Sequence, residues 1–237
     1  MRVKNFEKHQ SIKLLMPTVR EFISRQEVDK ITSTASKKES FCIDTLIGIN
    51  KITECLDQIY FSIELLSGFR KKKDSIMNRH DYVIFMIENF YLRITSIFDR
   101  ALRLTNFIFD IGIPERECRV TTIINNTKIK GTDVATSLKA LKKFSDNFKQ
   151  IRNNIAHSKS FEDKDLNIIG QFYYIIDNGD PDNLKRYSHI YKTRTDNYIK
   201  DKKIELNNSA NEVYELITRY LDSLTPYINK KTKHNNA

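Results

Sequence analysis

Arg152, Asn153 and His157 are the residues of this chain whose types and spacing invite chemistry. An imidazole ordinarily titrates at about pH 6.5 and can move a proton at working pH. A guanidinium offers a planar fork that grips a carboxylate or phosphate through two bonds. The spacing says less than the types. A helix turns about 100° per residue, so Arg152 and His157 stand about 140° apart, whereas Asn153 and His157, four apart, share a face. The bland alternative is a solvated last turn in which His157 lies at the negative end of a helix dipole. Other chemistries find less support. His9, His80, His189 and His234 have no partner at metal-ligand spacing, and no Cys/His cluster exists, which argues against a metal centre. The six glycines are scattered singly, so no phosphate-cradling loop of kinase or NTPase type is present. Cys42 and Cys55 fall within an apolar helix and read as core rather than as nucleophiles.

The elements that must position these residues read as helices. From about Arg79 to Gly112, Val83, Ile87, Phe90, Ile94, Ile97, Ala101, Leu104, Ile108 and Ile111 follow at spacings of four and three, an apolar seam down one helix face. Met86, Tyr91, Phe98 and Phe107 widen that face, which predicts a largely enclosed helix. A second helix, about Ser40 to Phe69, carries Ile49, Ile52, Leu56, Ile59, Ile63 and Leu66. It closes on Arg70-Lys71-Lys72-Lys73, where cations suit the helix dipole. A third, opened by Thr132-Asp133 after Gly131, runs through Val134, Leu138, Leu141, Phe144, Phe148, Ile151 and Ile155 and brings the Arg152–His157 segment to its end.

The remaining segments follow from local signals. Residues 3–32 read as one or two helices interrupted near Pro17, and residues 113–131 as a long connection with a short extended piece in the β-branched run 120–124. Ser160-Phe161-Glu162-Asp163 resembles a capping box that starts a helix through Tyr174, and residues 178–182 form a turn. Ser209-Ala210-Asn211-Glu212 reads as a second box, opening a final helix that stops near Pro226. The expected fold is an all-α bundle of long helices. It forms a single domain over residues 1–228, with a core at about 40–225 and an N-terminal helical extension over 1–35. A disordered basic tail over 229–237 follows.

Composition agrees. The chain has 237 residues, with 40 Lys and Arg against 30 Asp and Glu, a formal charge of +10. Six glycines and four prolines are far below average usage, too few for the many tight turns of a sandwich, barrel or doubly wound sheet. No apolar run approaches the roughly 18 residues of a membrane span. The N-terminus lacks an apolar signal core, and three cysteines fit a reduced compartment. The expectation is a cytoplasmic protein with no membrane partner, no cofactor and no disulfide scaffold. A charge of +10 suits a nucleic-acid partner, and equally a solvated surface. Arg70, Lys71 and Lys72 are candidates for guiding an RNA backbone, although a solvated helix end is the simpler reading. Tyr187, Tyr191 and Tyr198, interleaved with Lys185, Arg186, Lys192 and Arg194, alternate as an RNA contact would need.

The segment Arg152-Asn153-Asn154-Ile155-Ala156-His157 resembles the motif of the HEPN superfamily (higher eukaryotes and prokaryotes nucleotide-binding domain): Arg, a polar residue, three to five further positions, then His. The helix with Tyr91-Leu92-Arg93 and Phe98-Asp99-Arg100-Ala101-Leu102 is similar to the Cthe2314-like branch. The resemblance covers about residues 40–225. It implies a metal-independent endoribonuclease, a toxin or anti-phage effector, whose site forms where two copies of the motif helix meet. RNA, a second copy of the chain and an antitoxin protein are the partners it implies. On that reading His157 moves the proton of the ribose 2′-hydroxyl, Arg152 offsets charge on the phosphate, and Asn153 orients the histidine or binds a phosphate oxygen. The alternative is a non-catalytic HEPN module that binds nucleotide, RNA or a partner protein. Retention of all three motif residues favours activity.

Overall fold

The computed structural model describes residues 6–29, 34–71, 77–157, 160–178 and 181–234. The regular elements among them are all helical, as composition requires. The α-helices are α1 (Gln10–Asp29), α2 (Lys37–Leu65), α3 (Arg79–Ile108), α4 (Val120–Ile124), α5 (Asp133–Asp146), α6 (Lys149–His157), α7 (Lys164–Asn178) and α8 (Pro181–His234), with 3₁₀ turns at Phe6–Lys8 and Glu115–Glu117. Contacts group the chain into two compact units, one built from Met1–Asp57, Ser96–Ser145 and Val213–Ala237, the other from Gln58–Thr95 and Asp146–Glu212.

In the first unit Leu15, Ile49, Ile52, Leu56, Leu102, Leu138, Ile217 and Leu221 are fully or almost fully buried. α2 and α3 approach closely: a Cβ on Gly48 would stand 2.7 Å from Leu104 Cδ1. Tyr220 is wholly buried, yet its hydroxyl is satisfied, donating to the Ala101 carbonyl at 2.8 Å and lying 2.8 Å from Thr105 Oγ1. Burial pushes that phenol far above its usual range. Ser11 Oγ donates to the Leu221 carbonyl at 3.0 Å, which ties α1 to α8. α3 ends where Asp110 takes a positive φ of 45°, and Lys128 Nζ donates to the carbonyls of Phe109 and Asp110.

In the second unit Ile59, Ile63, Val83, Ile87, Phe90 and Ile94 are buried, as are Leu166, Ile169, Ile199 and Leu206. Asn89 Nδ2 donates to Ser62 Oγ at 2.7 Å, joining α2 to α3. The last carbonyls of α2 are taken up by Tyr82 and Lys203, whose hydroxyl and ammonium donate to Leu65 and Glu64 respectively. α7 lies so close to His80 that a Cβ on Gly170 would stand 2.8 Å from its Nε2.

Several boundaries differ from those the sequence predicts, each for a local reason. Pro17 lies inside α1; burial of Ile12, Leu15 and Val19 outweighs the roughly 3 kcal/mol an internal proline costs. α2 ends at Leu65, before the basic run, at a turn in which Gly68 N–H donates to the Leu65 carbonyl. Residues 120–124 form a helical turn rather than an extended piece, with Ile123 and Ile124 buried on one side. The third helix breaks at residues 147–148; Ser145, Asp146 and Asn147 are residue types that favour turns over helix interiors. α7 is capped by Asp163, not Ser160: Asp163 Oδ1 accepts from the N–H groups of Asp165 and Leu166. Ser209 lies mid-helix, its hydroxyl donating back to the Glu205 carbonyl. α8 also runs through Pro226 to His234, so residues 229–234 are helical rather than disordered. Buried Leu224 and Ile228, the Tyr227 ring 4.5 Å from Phe109, and the Lys231–Asp110 ion pair carry it there.

A true capping box stands at Ser36. Its N–H donates to Glu39 Oε2 at 2.8 Å, and Glu39 N–H donates to its hydroxyl at 3.2 Å. The Ser36 N–H does most to hold the Glu39 carboxyl below its usual 4.5; burial opposes it, and the Ser36 hydroxyl and Arg25 add to the lowering. A lowered folded-state pKa contributes stability that is present above about 4.5 and is lost as pH falls through the folded value. Urea denaturation at pH 7 should therefore find Glu39→Gln less stable than the parent, with the gap closing as pH falls through the lowered folded-state value. Tyr220→Phe should cost about 1 kcal/mol at neutral pH, since the carbonyl it leaves keeps its helical bond and the Thr105 hydroxyl.

Candidate functional site

The Arg152–His157 segment occupies α6, a separate nine-residue helix in which no side chain is buried. Its start follows from the break after α5: Phe148 supplies the first carbonyl, accepting from Arg152 N–H at 2.9 Å. Ile151 and Ile155 turn partly inward. With Asn154, Tyr91, Phe161, Lys202 and Glu205 they line a cleft of about 290 Å³. Arg152 and His157 are exposed and Asn153 is half-buried, and none of the three lines that cleft. The structure joins two of the three residues: Arg152 Nη1 donates to Asn153 Oδ1 at 3.1 Å. It leaves His157 at the helix end, with no hydrogen bond among the described residues. Neither Arg152 nor His157 packs a core, which removes a purely structural reason for either.

Both flanks of α6 converge on one side chain. Tyr91 of α3 is 3 % exposed. Its ring lies 5.8 Å from that of Phe148, one residue before α6, and stacks at 5.6 Å on Phe161, a few residues after it. Phe161 N–H donates to Glu88 Oε1 at 2.7 Å. Beneath it lies Lys202 of α8, itself buried, donating to Glu205 Oε2 at 2.7 Å and standing 4.0 Å from Asp163 Oδ2, with the Phe161 ring 5.6 Å away. The Tyr91 hydroxyl donates to the other oxygen of Glu205 at 3.3 Å. Burial first, then the Glu205 charge, pushes that phenol far above its usual range.

The proposed RNA contacts fare unevenly. Arg70 and Lys71 are exposed beyond the end of α2; Lys72 lies outside the described residues. Tyr187 is half-buried beside exposed Lys185 and Arg186. Tyr191 is a core residue, its ring 5.7 Å from that of Tyr173 and its phenol pushed up to about 12 by burial. It therefore has no open face on which a base could stack, and the RNA-contact reading is withdrawn for it. The alternation that suggested it is an α8 face, with Tyr191, Thr195 and Ile199 facing inward at every fourth residue. Sequence reasoning missed Lys202, because one lysine among Lys200, Lys202 and Lys203 gives no signal of its own.

A model of the Cthe2314-like HEPN family matches residues 48–229, most of the chain and all of α6. The chain belongs to that family. No curated protein and no solved structure matches it. Within this HEPN chain no group of acidic, histidine or cysteine side chains among the described residues could hold a metal ion, and no helix among them is long and apolar enough to cross a membrane.

The exposed placement of the motif has a consequence for stability. Arg152→Ala and His157→Ala should each unfold within about 0.5 kcal/mol of the parent in urea, as surface substitutions do. A loss of several kcal/mol in either would return the motif to a structural role.

Proposed function

We propose that this HEPN chain is a metal-independent endoribonuclease whose site is completed by α6 of a second copy. The observation that supports the reading is that Arg152, Asn153 and His157 stand on one short surface helix, away from the core, with Asn153 steadying the guanidinium. In the reaction His157 takes the proton of a ribose 2′-hydroxyl, and the freed oxygen bonds to the adjacent phosphorus. The bond to the 5′-oxygen breaks, and the partner's His157 returns a proton to that leaving oxygen. The products are a 2′,3′-cyclic phosphate and a 5′-hydroxyl. Arg152 holds the non-bridging oxygens, where negative charge grows. One imidazole cannot begin as both base and acid, and a two-fold pair supplies both. Arg70, Lys71, Lys185 and Arg186, all exposed, provide phosphate contacts of the kind that dominate nucleic-acid affinity. Action as a toxin or anti-phage effector, held in check by an antitoxin protein, is the cellular role this activity would serve.

Purified protein incubated with single-stranded RNA in EDTA should cut it and leave a cyclic phosphate. A strand carrying 2′-deoxyribose at the cut position should resist. Arg152→Ala and His157→Ala should each lower the rate by roughly 10²-fold or more, and light scattering should show a dimer. Folded protein that binds RNA without cutting it would make the non-catalytic module the correct reading.

A further inference from the structure

α6 has little means of holding its own position. None of its nine side chains is buried, and the break at residues 147–148 separates it from α5. Only Ile151, Asn153 and Ile155 of α6 are even half-buried, so its placement leans on the residues on either side. Phe148 and Phe161 bracket it, and both rings rest on Tyr91. Tyr91 cannot shift independently, because it is 3 % exposed and lies 5.4 Å edge-on to Phe90; its hydroxyl donates to Glu205. Glu205 is in turn bound to buried Lys202, which also faces Phe161 and Asp163.

We infer that Tyr91 is a positioning residue for the α6 site: its ring clamps Phe148 and Phe161 and so sets where Arg152, Asn153 and His157 stand. The ring carries this role, and the hydroxyl serves the Glu205–Lys202 pair. The kinetic consequence rests on the ribonuclease reading, whereas the placement of α6 does not. A site shared between two copies makes placement matter more, since any displacement of α6 enters once from each copy. Reacting groups tolerate little error, and a misplacement of about 1 Å can cost on the order of 10²-fold in rate.

The test compares Tyr91→Leu, which removes the ring, with Tyr91→Phe, which keeps it. Amide hydrogen exchange is read along the full chain. In Tyr91→Leu the α6 amides should exchange at least about tenfold faster than in the parent, while those of α7 and of α8 beyond Glu205 keep their rates; in Tyr91→Phe all should match the parent. Where RNA is cleaved, kcat should fall at least about tenfold in Tyr91→Leu at little changed KM, and stay within about twofold in Tyr91→Phe. Unchanged α6 exchange in Tyr91→Leu, or a uniform acceleration through the whole chain, would overturn the inference. Phe148→Leu loosens the same clamp from the half-buried side and decides the question in the same way if Tyr91→Leu fails to fold. A parent protein that cuts no RNA would defeat the ribonuclease reading and leave the exchange comparison to decide the clamp.

Discussion

A buried ammonium with its carboxylates organises the unit that carries α6. Lys202 is 9 % exposed, and a cation so enclosed would cost several kcal/mol if it stood alone. Glu205 and Asp163 meet that requirement from two directions. Each carboxylate then has a second duty. Glu205 accepts from the Tyr91 hydroxyl, and Asp163 uses its other oxygen to cap α7. Neutralising one charge therefore also fixes the start of α7 and the return of the chain after α6. A nine-residue helix that would be marginal alone in water is presented on that frame.

The scaffold behind it depends on length rather than on number of elements. α2, α3 and α8 each contribute residues to both compact units, so one apolar seam per helix serves two cores. Such a design needs few turns, which is why six glycines and four prolines suffice. Glycine is used at positions where helices meet, as at Gly48 and Gly170. Proline is tolerated inside α1 and α8 because both helices are gripped by side-chain burial on either side of it.

Much of this was legible in the sequence, and the parts that were not share a physical cause. The seams of α2 and α3 are long and strictly periodic, so their residues read directly as buried, from Ile49 to Leu66 and from Val83 to Ile108. Arg152 and His157 fall outside the apolar positions of the third helix, and both are exposed in the structure. The break between α5 and α6 was hidden because Phe144, Phe148, Ile151 and Ile155 keep helical spacing across it; the apolar rhythm persists although the backbone does not. Helix limits failed where long-range contacts overrule local signals. Pro226 reads as a stop only until Tyr227 and Lys231 find Phe109 and Asp110. Lys202 was invisible because its meaning comes from residues brought together by folding.

The exposure of the motif and the charge of the chain pull against each other in an instructive way. Each copy carries a formal +10, and a site shared by two copies would bring two Arg152 guanidiniums towards one another. Like charges at close range disfavour that approach, less so as salt screens them. A phosphate chain lying between them reverses the sign, because each guanidinium then faces oxygens instead of its counterpart. On the ribonuclease reading, pairing of the chains and binding of RNA are thus thermodynamically linked: whatever RNA gains from a second α6, the pair gains from RNA by the same factor. A surface helix is suited to such a site, since a motif already packed into its own core could not be shared.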